Sequence, residues 1–262
     1  MVQSVQRAMR ILQELMAATS SLGVTELADR LGVAKPTAHA LLRTLEAEGA
    51  VAQDADSGKY RLGPLLVALG HAYLDAHALR NRSVTWADLL ASRVGEAVWV
   101  GTLTGDEVLV LHHAFRPGGV AQLLESGATL PWNATALGKA AVAFASPERL
   151  QALLGGKLGA STGSSVTDPV ELEGQLARVR QKGYAVEANE LTLGDAEVAA
   201  PVRGRSGEVV GAIGVVGPVE RLLADAHHQE CAIAVREVAR GLSREMGATR
   251  ASGLERRISE EF

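Results

Sequence analysis

Apolar residues fall into two regimes along the chain. Up to about residue 94 they recur every three or four positions, and from residue 97 they alternate or run together. Val5, Ala8, Met9, Ile11, Leu12, Leu15 and Met16 predict a first helix opening near Ser4, a residue type suited to a cap. VTELADRLG predicts a short second helix with Thr25 as cap and Gly32 as terminator. After the tight turn Val33-Ala34-Lys35, a third helix is expected from about Pro36 to Glu48. It carries one apolar face (Ala38, Leu41, Leu42, Leu45) and ends at Gly49. A50-V51-A52-Q53 and K59-Y60-R61-L62 flank a polar turn and read as a small hairpin. Three helices and a hairpin make the layout of a winged helix-turn-helix over residues 1–63. PLLVALGHAYLDAHALR then suits one linker helix, residues 64–79, and a further helix is expected at about 82–94.

The second regime opens with AVWVGTLT and EVLVLHHA around a Gly-Asp turn, an antiparallel hairpin. Val120–Leu124 is a further strand candidate. ATALGKAAVAFA reads as a helix of small residues, and SPERLQALL as a short helix capped by Ser146. Asp168 caps TDPVELEGQLARVRQKG, with Glu171 at the capping-box position. YAVEANE, AEVAAPVRG and GEVVGAIGVVG are strand candidates, and a last helix spans about 221–245. Hairpins mixed with helices give an α+β fold with a mainly antiparallel sheet over residues 80–245. Residues 246–262 have little apolar content and are expected to form a mobile tail.

The third helix raises the functional question. A recognition helix must enter a groove about 12 Å wide with its outer face free of packing. The first turn here is small and polar: Lys35, Pro36, Thr37 and His39. Its amides and hydroxyls could meet phosphates. Arg43, one turn beyond His39, is the candidate for a guanine contact or a phosphate clamp, and Lys59 and Arg61 would lie over the adjacent backbone. Glu46 and Glu48 mark the end of the helix that points away from the duplex.

Charge constrains this picture. The net charge is −4, and residues 1–63 carry seven basic and seven acidic groups. A general electrostatic attraction to nucleic acid is therefore excluded, and affinity must come from placement and dimerisation. One cysteine, Cys231, excludes an internal disulfide framework and a thiolate-rich metal site. The first residues lack a signal-peptide pattern, and no apolar run approaches the roughly 20 residues that span a bilayer. A cytoplasmic protein with no membrane partner is expected.

Catalytic chemistry finds little support. His112-His113 and His227-His228 are adjacent pairs, poorly suited to chelate one ion, and there is no HExxH or Cys/His cluster. Phosphate-binding glycine loops and a GxSxG frame are missing, so no cofactor, metal or catalytic residue is assigned. What remains is a candidate small-ligand cavity where strands meet the small-residue helix, with Asn133, Thr135, Glu187, Glu190, Asp195 and Glu197 as polar candidates. So many carboxylates favour a hydroxylated or cationic ligand over an anionic one. Each of these residues could equally sit on the surface. Two other functions stay open here: an enzyme or ligand-binding α+β protein whose N-terminal part serves only in assembly, and a structural oligomerisation protein.

Several segments, in order, resemble the IclR family of bacterial transcriptional regulators across about residues 3–245. They are GVTELADRLGVAKPTAHALLRTLEAEGAV, KYRLGP, GATLPWNATALGKAAVAF, KGYAVEANE and AAPVRGRSGEVVGAIGVVGP. The resemblance implies a winged helix-turn-helix, a linker helix and a GAF-like effector domain. It implies double-stranded operator DNA and a small organic metabolite as partners, and homodimers that can pair into homotetramers. It places the effector pocket around Gly127 to Gly138, the strand near Glu187, and Gly194 to Val202, adding Gly127, Ala128, Trp132 and Ala136 to the candidates. A regulator, expected to be a repressor, follows, with a small polyol as one candidate effector. The chain departs from the family pattern at Ala40, where an arginine is common, at Trp132-Asn133 in place of leucine and histidine, and at Glu197, where a cysteine or small residue is usual.

Overall fold

The computed structural model describes residues 2–118 and 124–248. The chain divides into two compact units, Met1–Asp75 and Ala76–Phe262. In the first, α1 (Gln3–Ala17) buries Ile11 and Leu15. Ser4 lies inside α1 rather than capping it, because the helical bonding already starts from the Val2 carbonyl, which accepts from the Gln6 amide. Gly23, not Thr25, occupies the cap position of α2 (Val24–Leu31). The reason is tertiary. Leu22 exchanges both backbone hydrogen bonds with Tyr60 at 3.0 and 2.8 Å, which keeps the chain extended up to Gly23. Gly32 ends α2 in the left-handed conformation, φ 66°.

Helix α3 (Lys35–Ala47) carries Pro36 in its first turn and packs Ala38 and Leu42 into the core. Strands β1 (Val51–Gln53) and β2 (Tyr60–Leu62) pair antiparallel as the wing. Tyr60 is buried among Ile11, Leu15, Leu27, Leu31 and Leu42, so the wing is anchored in the core of the helices. Helix α4 (Leu65–Ala76) buries none of its residues, and Val67, Leu69 and Tyr73 are at least half exposed.

The second unit begins with α5 (Ala78–Val94), which starts four residues earlier than the pattern predicted, after a break at His77. Among the described residues its sheet has six strands: β3 (Ala97–Thr104), β4 (Glu107–Ala114), β5 (Thr129–Pro131), β6 (Ala185–Ala188), β7 (Asp195–Arg203) and β8 (Val209–Pro218). They lie in the order β5-β4-β3-β8-β7-β6, every pair antiparallel. Strand β5 was not anticipated: three residues ending in proline give no alternation, and an edge is where a sheet tolerates proline. Of the expected strand Val120–Leu124, residues 120–123 lie outside the described residues, as do residues 249–262 of the expected tail.

A one-turn 3-10 helix at Trp132–Ala134 leads into α6 (Ala136–Val142), all seven residues of which are buried. Helices α7 (Pro147–Leu154) and α8 (Pro169–Lys182) follow, capped by Ser146 and Asp168 as expected. Helix α6 packs on one face of the sheet with Ala199 and Ala212. After the short α9 (Val219–Leu222), the long α10 (Asp225–Glu245) packs on the sheet beside α5. Gly241 makes that contact possible, since any side chain there would collide with the Trp86 ring. Past α10 the chain forms one more bridge, Gly247 to Gly204.

Candidate nucleic-acid interface and ligand site

Helix α3 buries one face and leaves the other bare. Lys35, Pro36, His39, Ala40 and Arg43 are exposed or half-exposed, and Thr37 stands beside them with its amide turned back to the Ala34 carbonyl. Among the described residues no side chain of the unit covers this outer stripe, which is the condition for entering a groove. Lys59 and Arg61 are exposed on and beside β2. The wing tip has a defined shape. Asp54 accepts from the Ser57 amide and hydroxyl, both at 2.8 Å, and Gln53 Nε2 donates to the Gly58 carbonyl at 2.9 Å. The Ser57 bonds hold the Asp54 carboxyl below its usual range. Arg30 ties α1 to α2 through Glu14 and Glu26, so that arginine is engaged within the fold.

The second unit gathers a buried polar cluster between α6 and the sheet. Thr135 caps α6, accepting from the Gly138 amide at 3.1 Å and donating to the Pro131 carbonyl. Glu197, on β7, points its Oε2 at the first amides of α6, Ala136 at 2.6 Å and Leu137 at 3.2 Å. Its Oε1 is buried and accepts no hydrogen bond. Glu187, paired directly across from Glu197 on β6, accepts from the Glu190 amide at 2.9 Å. Glu190 in turn lies 2.5 Å from Lys139 Nζ, an ion pair with the lysine 1% exposed. Lys139 was absent from the sequence candidates, although a lysine inside a run of glycine, alanine and valine has no local route to water.

Asn133 is buried but turned to another task. Its Nδ2 donates to the Gly159 and Val166 carbonyls at 2.8 and 2.9 Å, and its Oδ1 accepts from the Gly159 amide at 2.8 Å. The strap 159–166 is pinned at its other side by Thr162 and Ser165 hydroxyls donating to the Asn189 and Glu190 carbonyls, at 2.6 Å each. Asn133→Ala is expected to lower the stability of the unit by about 2–3 kcal/mol, three hydrogen bonds at roughly 1 kcal/mol each. A urea titration checks it; an unchanged midpoint would show that the strap holds without Asn133.

Asp195 is half-buried at the start of β7, where its backbone holds Asn189. Trp132 is buried, and its indole nitrogen has no hydrogen-bond partner. Gly127 and Ala128 stand apart from the cluster. They extend the pairing of β4 through Val110, at the opposite edge of the sheet from β6.

Burial drives both central carboxyls upward. Glu187 is pushed to about 7 chiefly by desolvation, with the Glu190 charge adding to it, and Glu197 to about 8 by desolvation, then by Glu187. A carboxyl raised in the folded state binds protons that the unfolded chain releases. Its contribution is therefore complete below the unfolded value of 4.5 and is lost as pH rises through about 7 and 8. Stability should fall between pH 5 and 8, by up to about 1.4 kcal/mol per pH unit for each group. Urea midpoints of wild type and Glu197→Gln across that range test this. The variant should show the shallower decline, and parallel curves would contradict the assignment.

A separate cleft of about 440 Å³ is lined by Glu96, Arg116, Pro117, Arg221 and His227 among others. Buried Glu96 is held there by the Arg221 guanidinium, with Arg116 at 4.0 Å and His227 at 3.9 Å. His112 and His113 separate as strand neighbours must: His113 stacks by Trp99 and Phe115, while His112 is depressed by burial near Asp88 and Arg80. Among the described residues no group of His, Cys, Asp and Glu could hold a metal ion, and no helix is long and apolar enough to cross a membrane.

Comparison with known proteins covers both units. The IclR helix-turn-helix domain matches residues 4–55, and the bacterial transcriptional regulator IclR C-terminal domain matches residues 71–244. The chain is 44% identical to the glycerol operon regulatory protein of Streptomyces griseus over 250 residues, 95% of this chain and 98% of that protein. Its counterpart in Streptomyces coelicolor is 43% identical over the same shares. Among solved structures, an IclR transcriptional regulator from Alicyclobacillus acidocaldarius superposes with a TM-score of 0.80 at 31% identity, covering 94% of this chain and 100% of that one. An IclR homologue from Microbacterium hydrocarbonoxydans, solved in complex with 4-hydroxybenzoate, gives 0.78 at 25% identity, again over 94% and 100%.

Proposed function

The chain belongs to the IclR family of bacterial transcriptional regulators, and on that premise we propose that it represses a polyol-utilisation operon and is controlled by a small polyol bound in its C-terminal unit. The family makes it a DNA-binding regulator with an effector domain, and a regulator rather than an enzyme. The operon type is carried over from the Streptomyces glycerol operon regulatory proteins, which align with this chain over nearly the whole of both.

The observation that carries DNA binding is the unpacked outer stripe of α3 beside the anchored wing. Lys35, Thr37, His39 and Arg43 would read or clamp the major groove, with Pro36 setting the helix entry. Lys59 and Arg61 would meet the flanking backbone. A homodimer would place two such heads on a pseudopalindrome. Exposed Val5, Met9 and Met16 on α1, with Val67, Leu69 and Tyr73 on α4, supply apolar surface for it, and effector units could pair dimers into tetramers. The C-terminal unit reads as a GAF-like effector domain. Its pocket would be built around Ala136, Glu187, Glu190 and Glu197, with Trp132, Asn133 and Thr135 shaping its wall and Gly127, Ala128 and Asp195 at its margins.

Fluorescence anisotropy with DNA upstream of the chain's own gene and neighbouring operons, at fixed ionic strength, tests the reading. Specific binding at about 10⁻⁸ M or tighter is expected, weakened by glycerol or a related polyol. Affinity no better than for unrelated DNA would reject it.

A further inference from the structure

We propose that Glu197 fixes the charge class of the effector: the site takes an uncharged polyhydroxy ligand, one hydroxyl of which bonds Glu197 Oε1, and it turns away carboxylates, phosphates and cations. This rests on the effector reading above and deepens it. Glu197 is 1% exposed, and its Oε2 already occupies the first two amides of α6. The chain's own carboxyl oxygen thus already occupies the amides that an anionic ligand would use.

Oε1 is the unused half of that group. It lies over Gly214 on β8, where any side chain would collide with it. Gly214 is registered opposite Trp99 on β3, so Trp99 stands on the same face, and its buried indole N–H also has no partner. Two buried polar atoms with no partner among the described residues therefore share one face of the sheet near Gly214. A ligand hydroxyl can accept from the indole N–H, and a hydroxyl can donate to Oε1 when it is ionised or accept from it when it is protonated. The ring of His113 stands 5.9 Å from that of Trp99, and Phe115 stacks on His113 at 4.5 Å, giving the site an apolar wall for carbon.

The surrounding charges point the same way. Glu187, Glu190 and Glu197 face a single ammonium, Lys139, which Glu190 already holds. An anion would find no free ammonium among the described residues and would meet the Glu190 charge. A cation would need a free carboxylate, yet Glu190 is already held by Lys139, and burial keeps Glu197 mostly and Glu187 about half protonated at pH 7.

Isothermal titration of the full-length protein tests this with glycerol and erythritol as neutral probes, glycerate and glycerol 3-phosphate as anions, and serinol as the cationic counterpart. At least one neutral polyol should bind wild type tenfold or more tighter than any charged probe. Glu197→Ala should weaken that polyol at least tenfold. Glu197→Gln, which keeps an oxygen on the α6 amides and a polar group over Gly214, should stay within threefold. Melting temperatures show that each variant is folded, and if Glu197→Ala is not, the wild-type charge preference and the glutamine variant still decide. A charged probe binding wild type as tightly as the polyols, no binding by either polyol, or a folded alanine variant with unchanged polyol affinity overturns the proposal. If a charged probe alone binds and shifts operator affinity, the C-terminal unit stands as an effector domain, and the neutral-polyol assignment fails with the charge assignment. If no small molecule shifts operator affinity, the effector reading itself fails.

Discussion

Replacing Lys139 with methionine should destabilise the C-terminal unit by about 3–5 kcal/mol, because it strands a buried carboxylate. Every residue of α6 is buried, so Lys139 cannot reach water, and its ammonium is held by Glu190 at 2.5 Å. Without that ammonium, Glu190 must either stay charged in a desolvated site or take up a proton. Either route is unfavourable, and Glu190 also anchors the strap through the Val166 amide at 3.3 Å, so the damage should spread to residues 159–166. At about 2–4 °C per kcal/mol for a unit of this size, calorimetry should record a loss of roughly 6–20 °C. Pairing Lys139→Met with Glu190→Met should recover most of it, since a buried ion pair owes its importance to what each partner prevents in the other. A single variant that melts within about 2 °C of wild type would show that Glu190 finds another partner.

Arg43→Ala should abolish most operator discrimination while leaving the fold intact. Arg43 lies on the outer stripe of α3, one turn past His39, and the arginine common at position 40 in the family is Ala40 here. On the proposed reading the guanidinium contact on this helix would fall to Arg43. A bidentate base contact is worth about 1–3 kcal/mol, and a dimer would make two, so the variant should bind its operator roughly 30- to 2 × 10⁴-fold more weakly. Lys59→Ala and Arg61→Ala on the wing should behave differently. They should weaken specific and random DNA alike and flatten the salt dependence by about one unit for each phosphate left without its cation. Anisotropy against operator and scrambled DNA over a salt series separates the two patterns. If Arg43→Ala weakens both DNAs equally, the residue is a phosphate clamp and the base reading lies with Thr37 or His39.

The DNA-binding head was legible because its signals are local. Leucine spacing, Gly32, Gly49 and Pro36 each act within one turn of themselves. The two helix caps were misread at Ser4 and Thr25 because start sites also answer to distant chain. In particular, the Leu22 pairing that delays α2 comes from Tyr60, 38 positions along by residue number. Strand β5 escaped because three residues are too few to alternate. In the ligand cluster the carboxylates could be named from sequence, but their roles could not. Glu197 meets amides 60 and 61 positions away, and Lys139 meets a glutamate 51 positions away, distances no periodicity encodes. Asn133 shows the converse: its position drew attention as a ligand contact, while its amide is spent on the strap.

The pairing of Leu22 with Tyr60 reaches further than the start of α2. Since it stitches the wing to the helices, α3 and the wing form one jaw, and in the proposed dimer two such jaws would work as a calliper. Bending within a jaw would not accommodate a misplaced half-site, so on the proposed reading the gap between jaws would be what a bound metabolite adjusts. An operator for such a device can vary in the bases it leaves untouched at its centre. It cannot gain or lose a base pair there, because each one shifts the second half-site by about 3.4 Å along the duplex and turns it about the axis.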